Sequence, residues 1–335
     1  MQRHWPQAQL HFVLSREAPY AADCPFPVTL LPSSATFHSR EVCALISRLR
    51  PDLVLFDNAG RTAQLRAARA ARARIVFVSS RGRQRRKAFR LRWMRLIDEH
   101  WIAYPEFVAG ALGLTERWKL RVLGRPVVRY MDTILPESAS AQGSALMERL
   151  GLAPQRYVLV VPGGGTPHPG AVDAPRIVAE AAAALAHNGH KTVLVGVDSP
   201  LQHPLLIVTP RLAMGELTAL LSAAQVVVTN GGDTLLQALA CGRPCIACPV
   251  AHDQHERIRR CEAAGVALAA PLDASQLAQT ALALLADPQA LAAQTAGAAL
   301  HPVRNAIPAA IAAIARLVGP DADGAAAISS AGADA

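Results

Sequence analysis

The chain has 335 residues, 51% of them apolar, and a formal net charge of +9 at neutral pH. That length suits two domains of about 150 residues with a cleft between them, and the apolar content excludes a disordered chain. No apolar run reaches the ~18 residues of a membrane span and MQRHWPQAQLHFVLS lacks a signal-peptide layout, so a cytoplasmic protein with reduced thiols is expected.

In the first half, short apolar or β-branched runs stand at LHFVL (10–14), DLVLF (52–56), RIVFVS (74–79) and HWIAY (100–104), separated by longer Ala-, Leu- and Arg-rich stretches. Continuous apolar strands alternating with helices predict parallel sheets covered on both faces, an α/β class. Asp57 closes the second run, at the end of a strand. It is the first-half candidate for acid–base work, with a turn-capping role as the alternative.

Between Arg61 and Arg95 lie 13 Lys or Arg and no Asp or Glu. The basicity therefore belongs to one segment, and the remainder of the chain is net acidic. In RGRQRRKAFRLRWMRL (81–96), Phe89, Trp93, Leu96 and Ile97 recur at helical spacing among arginines. This predicts one basic amphipathic helix over Arg81–Ile97. Its apolar stripe suits either the core of its own domain or an anionic membrane surface. Nucleic acid is the rival partner of such a patch, and none is expected here.

The stretch LPESASAQGSA (135–145) is poor in periodic apolar residues and rich in Ser, Gly and Pro. It divides the chain into an N-terminal domain (1–134), a linker (135–152), a C-terminal domain (153–318) and a low-complexity tail (319–335) expected to be disordered. In the C-terminal domain strands are read at 158–161, 192–197, 205–208, 225–229, 244–248 and 266–270, with helices near 173–187 and 213–223. Two glycine-rich turns, Gly163-Gly164-Gly165-Thr166 and Asn230-Gly231-Gly232-Asp233-Thr234, each follow a strand and precede a helix. Glycines there let a phosphate approach the backbone and the free N–H groups of the next helix. Neither turn matches G-x-x-x-x-G-K-[ST], and G-x-G-x-x-G is absent.

The run MGELTALLSAAQVVVTNGGDTLLQALACGRPCIACPVAHDQ, with GGGTPHPGA upstream and VLGRPVVR at 122–129, resembles glycosyltransferase family 28, the group of the peptidoglycan N-acetylglucosaminyltransferase and of pseudaminic-pathway sugar-nucleotide hydrolases. The resemblance covers about 122–270. It implies a GT-B fold, two Rossmann-like domains with parallel sheets facing a cleft. It also implies a nucleotide diphosphate sugar as donor, a UDP-sugar first, with no metal and no cofactor. Gly164, Gly165, Thr166, Gly231, Gly232 and Thr234 would line the diphosphate, with Asn230 before the paired glycines. Gln237 stands where the family usually has a ribose-holding glutamate, and an amide keeps the contact without the charge. Asp253 and Gln254 match the pair that contacts the donor sugar. Asp233 would repel a pyrophosphate but suits a helix start. His168, His252 and His255 flank these motifs, and surface placement is their alternative. The family begins with a strand, a glycine-rich loop and a helix before the strand matching LHFVL; this chain starts with the later strand. The acceptor is unknown, and the basic segment suggests one that is lipid-linked or membrane-proximal at the inner face of a membrane. A nucleotide-sugar hydrolase or epimerase, and a non-catalytic binding subunit, are the alternatives.

Cys241, Cys245 and Cys248 have C-x₃-C-x₂-C spacing, which looks like an iron–sulfur motif. In the resembling family these positions carry small apolar residues around a G-x-P turn. Buried thiols are expected, with a zinc site including His252 as the alternative.

Overall fold

The computed structural model describes residues 2–18, 21, 24–136, 140–163 and 173–319. Gly164, Gly165, Thr166, His168 and the tail from 320 lie outside the described residues. In chain order the elements are β1 (Phe12–Ser15), β2 (Val28–Leu31), α1 (Ser39–Leu49), β3 (Leu53–Asp57), α2 (Thr62–Ala70), β4 (Arg74–Ser79), α3 (Gly82–Ala88), α4 (Leu91–Met94), β5 (Glu99–Ala103), α5 (Glu106–Ala109), α6 (Leu114–Leu123) and β6 (Val127–Met131). They continue as α7 (Ser140–Arg149), β7 (Val158–Val161), α8 (Ala174–His187), β8 (Thr192–Val195), β9 (Leu206–Thr209), α9 (Met214–Ala223), β10 (Val226–Asn230), α10 (Asp233–Ala240), β11 (Cys245–Cys248), α11 (His252–Ala263), β12 (Leu268–Ala269), α12 (Ala274–Ala286), α13 (Pro288–Leu300) and α14 (Ile307–Val318).

The chain forms two compact units. Unit 1 gathers Met1–Ala103, Ala111–Met131 and α14 from Pro308; unit 2 gathers Tyr104–Gly110 and Asp132–Ile307. The boundary expected at 134–135 falls at Asp132, and the second unit also takes α5. The stretch expected as a linker, 135–152, carries α7, whose Leu146 is 1% exposed and belongs to the unit 2 core. One buried leucine and a tertiary surface to meet it override the weak local pattern of this segment.

In unit 2 a six-stranded parallel sheet runs β12-β11-β10-β7-β8-β9. Counted along the chain this is the order 3-2-1-4-5-6 of a Rossmann fold, read from its other edge, with β7 and β10 at the point where the order reverses. Successive side chains alternate between the two faces. Leu159, Val161, Val193, Val227, Cys245 and Ala247 face one core. Val158, Val160, Leu194, Val226, Val228 and Cys248 face the other, against α8 and α12.

Unit 1 has two parallel sheets, β1-β2 and β3-β4-β5-β6. If β1 and β2 are set against β8 and β9, and β3 to β5 against β10 to β12, no counterpart of β7 stands between β1 and β3 among the described residues. Phe12 on β1 is 39% exposed and Leu55 on β3 is 45% exposed, whereas Ile75, Val76 and Phe77 of β4 are fully buried.

The basic segment is not one helix. It forms α3 and α4, separated by Phe89 and by an extended Arg90 (φ −76, ψ 132). A straight helix would set Phe89 and Ile97 about 12 Å apart along its axis. The break instead turns Phe89, Trp93, Met94 and Ile97 inward, all at most 2% exposed. Trp93 meets Phe77 edge-on at 5.2 Å, and Phe89 meets the His100 ring at 5.1 Å. Phe89, Trp93 and Ile97 of the stripe are thus core and Leu96 is half-buried, while Leu91 and most arginines of the segment are left at the surface.

His100 is fully buried on β5, with Nε2 2.8 Å from the Ser79 hydroxyl and Nδ1 without a partner. Burial, aided by the Arg85 charge, lowers its pKa to about 3, so it folds neutral. The unfolded imidazole binds a proton below about 6.5, so the unfolded state holds more protons between the two values. Stability is therefore full above pH 6.5 and falls as pH drops toward 3, by up to about 1.4 kcal/mol per pH unit from this residue. Urea midpoints between pH 7 and 5 should show this slope in the wild type and a shallower one in His100→Leu.

Candidate nucleotide-sugar site

The site is built where the strand order of unit 2 reverses. β7 and β10 are paired in register, Val161 beside Thr229, so the segments that follow them leave the sheet side by side. Gly163 has φ +112, a conformation for glycine, and Asn230 packs against it: a Cβ at Gly163 would lie 2.8 Å from the Asn230 Cγ. Asn230 is 6% exposed, and its Oδ1 accepts from the Gly232 N–H at 2.9 Å. A side chain at Gly232 would meet that same Oδ1 at 2.7 Å. At Gly231 a Cβ would meet Ile258 Cδ1 and Cγ1 at 2.8 Å and Gln254 Cβ at 2.9 Å. All three positions exclude a side chain because the turn is packed tightly from behind.

The turn opens α10. Gly232 is its N-cap, with no side-chain cap, so the first N–H groups of the helix are left for another acceptor. Asp233 is the first helical residue and is exposed. It thus stands at the helix start expected of it, one residue past the N-cap, where a carboxylate meets the positive end of the helix dipole favourably. Thr234 is buried one residue further on.

Gln237 is 6% exposed and donates through Nε2 to the Ile134 carbonyl at 3.0 Å, beside Met214 Sδ at 3.6 Å. Its amide nitrogen is thus engaged in the body of unit 2. Asp253 and Gln254 lie in the first turn of α11. Asp253 is exposed, while Gln254 is buried with its Oε1 accepting from the Val250 N–H at 2.9 Å, which closes the turn leaving β11.

The residue missed by sequence reasoning is Arg257. It is 7% exposed, lies over the Tyr104 ring at 4.2 Å, stands 3.7 Å from Asp253 and donates Nη1 to the Gly231 carbonyl. A buried guanidinium thus holds the back of the glycine turn. The signal was its spacing, four residues after Asp253 on one face of α11. Ile258, which packs on Gly231, also lines an open cavity of about 510 Å³ with Pro249, His255, Ala270 and Leu272. His252 and His255 are exposed.

The cysteine motif divides across the sheet. Cys245 packs into one face and Cys248 into the other, so the two thiols point apart and do not converge on a cluster. Burial raises both thiols, Cys248 to about 12, and raises Cys261, in the same core as Cys245, to about 12. Among the described residues no group of three or more His, Cys, Asp or Glu is placed to hold a metal ion. No described helix is long and apolar enough to cross a membrane.

In unit 1, Asp57 stands at the carboxyl end of β3, where its Oδ1 accepts from Asn58 Nδ2 at 2.9 Å.

No family model and no curated protein matches the chain by sequence. Solved structures do match by fold. The Arabidopsis thaliana protein UGT89C1 aligns at TM-score 0.61 and 14% identity, over 95% of this chain and 94% of that one. The spinosyn forosaminyltransferase SpnP aligns at 0.58 and 15%, over 92% and 99%. A Listeria monocytogenes protein assigned as a UDP-N-acetylglucosamine 2-epimerase aligns at 0.56 and 14%, over 92% and 96%. With parallel sheets in both units and a Rossmann strand order in the second, the chain has the α/β architecture of GT-B glycosyltransferases and nucleotide-sugar epimerases.

Proposed function

We propose that the chain is a glycosyltransferase of family 28 type that takes its sugar from a nucleotide diphosphate sugar, a UDP-sugar first, held by unit 2. The observation that carries this is the tightly packed Asn230-Gly231-Gly232 turn at the strand-order reversal, with uncapped N–H groups in front and Arg257 behind. Backbone donors and a buried cation suit the charge that develops on a leaving diphosphate, an electrostatic role that the protein's own groups supply. Gly164, Gly165 and Thr166 would complete the diphosphate lining, and Asp253 and Gln254 would meet the sugar. Asp57 is the candidate base for the acceptor hydroxyl. Gln237 would reach a ribose only through its carbonyl oxygen, since its amide nitrogen is engaged.

Thermal unfolding against UDP, dTDP, CDP and GDP, each alone and as sugar conjugates, tests the donor site, because a ligand of the folded state raises the midpoint by mass action. A rise with one nucleotide names the base; no rise with any sinks the reading. Labelled donor then separates the chemistries. Conjugate marks a transferase, and free sugar or epimer marks the hydrolase or epimerase reading, which the Listeria neighbour favours.

A further inference from the structure

One segment of unit 2 comes from the first half of the chain. Tyr104–Gly110 follows β5 and precedes α6, both of unit 1, yet it packs with unit 2. Several contacts seat it there. Val108 belongs to the unit 2 core, and Tyr104 and Phe107 pack against that same core. The Val108 carbonyl accepts from Arg260 Nη1 at 2.6 Å, and Arg260 Nε is held in turn by Glu256 Oε1 at 2.7 Å. Gly110 lies at φ +81, and a Cβ there would press on Arg260 Nη1 at 3.1 Å. Phe107 also meets the His301 ring at 5.5 Å. The segment is thus docked along α11, the helix that carries Arg257.

It opens on Tyr104, whose φ is +89. A bulky side chain rarely adopts that conformation, which persists only where the surroundings over-determine it. Here the core holds α5 on one side, and the Tyr104 ring lies under the Arg257 guanidinium, 4.2 Å from Cζ to ring centroid. Arg257 carries the arrangement to the donor turn. Its Nη1 donates to the Gly231 carbonyl, while Asn230 Oδ1 accepts from the Gly232 N–H at 2.9 Å. These two bonds hold both polar atoms of a single peptide unit. Because a peptide is planar, they set the direction in which the chain enters α10, and with it the direction of the N–H groups that Gly232 leaves uncapped. The Asn230 bond is made within the turn itself. The Arg257 bond depends on a long side chain, and an aromatic face against a planar guanidinium limits how that side chain can turn. Asp253, 3.7 Å from Arg257 Nη2, is exposed, so water competes for that pair.

We infer that Tyr104 is a positioning residue for the donor diphosphate: its ring holds the Arg257 guanidinium against the Gly231 carbonyl and so aims the first N–H groups of α10 at the pyrophosphate. The diphosphate here rests on the donor reading proposed above, whereas the pinned peptide belongs to the free protein.

Amide hydrogen exchange of the ligand-free full chain reads the peptide directly. Tyr104→Leu should speed exchange at the Gly232 N–H about tenfold while the amides of β7 and β8 keep their protection. Tyr104→Phe, which keeps the ring, should restore the wild-type rate. Tyr104→Gly adopts φ +89 without strain and should also speed exchange at Gly232. It separates loss of the ring from relief of the backbone, and it serves in place of Tyr104→Leu if that variant does not fold. Gly232 exchange at the wild-type rate in these variants, or a rise spread evenly over unit 2, overturns the inference. Isothermal titration then reads the ligand side, with UDP, or whichever of dTDP, CDP and GDP raises the wild-type midpoint, and with its nucleoside. Tyr104→Leu should weaken the diphosphate about tenfold and the nucleoside by no more than about twofold, because only the former reaches the turn's N–H groups. An equal loss for both would mark a structural role and overturn the inference as well. If no nucleotide moves the wild-type midpoint, the donor reading fails by itself, and the Gly232 exchange rates still decide whether Tyr104 sets the turn.

Discussion

Replacing Gly231 with alanine is expected to weaken binding of the donor nucleotide about 100-fold, equivalent to ~2.7 kcal/mol, while lowering global stability by only about 1–3 kcal/mol. The added methyl carbon meets Ile258 and Gln254 at 2.8–2.9 Å, closer than carbon atoms pack. Neither neighbour yields easily: Ile258 is 3% exposed in the core, and Gln254 is fixed by its bond to Val250. The turn must therefore move outward, toward the space that a pyrophosphate would take. Its carbonyl would also leave Arg257, whose buried charge would lose a partner. Isothermal titration with the nucleotide identified by thermal shift reads the loss, and the urea midpoint reads the stability. Ile258→Val removes Cδ1, one of the three close atoms, at a cost of about 0.5–1.5 kcal/mol. In the Gly231→Ala background it should recover roughly tenfold in affinity by relieving strain, a coupling visible in a double-mutant cycle. Equal affinities in the single and double variants would reject the steric account.

Features with a local cause were legible in the sequence. VLVV and QVVVT are continuous apolar runs because β7 and β10 are buried on both faces, and glycine follows each because the backbone there has room for nothing else. The helices near 173–187 and 213–223 carry enough periodicity to be placed within a residue or so of α8 and α9. Features that depend on distant partners were not legible. β2, VTLL, is a four-residue strand supported by pairing with β1 and by Leu31, its one side chain in the core of unit 1 among the described residues. α7 lacks a strong pattern of its own and is held through Leu146. The break at Phe89–Arg90 satisfies a core surface made by β4 and β5, which the spacing of apolar residues within the segment cannot report. Gln237 reads as a ligand-facing residue by its offset from Thr234, yet its amide meets Ile134, 103 residues earlier in the chain. Arg257 escaped for a similar reason: in HDQHERIRR it is one of three arginines, and only the fold shows which one is buried.

Trp93→Ala should destabilise the protein by about 3–5 kcal/mol, a large share of the ~5–15 kcal/mol that holds a typical domain folded. Trp93 is 0% exposed, and its loss removes the edge contact with Phe77, the indole bond to Thr62 and the surface under Lys87. The hole would open beneath Lys87 and the loop that follows β3, and neither α3 nor α4 is long enough to be stable alone. Trp118, on α6, is 61% exposed, so Trp118→Ala should change stability by no more than about 0.5 kcal/mol. Urea midpoints of the two variants test this directly. If Trp93→Ala kept the wild-type midpoint and instead lost affinity for anionic vesicles, the ring would have to lie outside the core, and the basic segment would be the membrane helix that its spacing first suggested. A collapse of the midpoint for Trp93→Ala alone would mean that the aromatic residues of this segment hold unit 1 together.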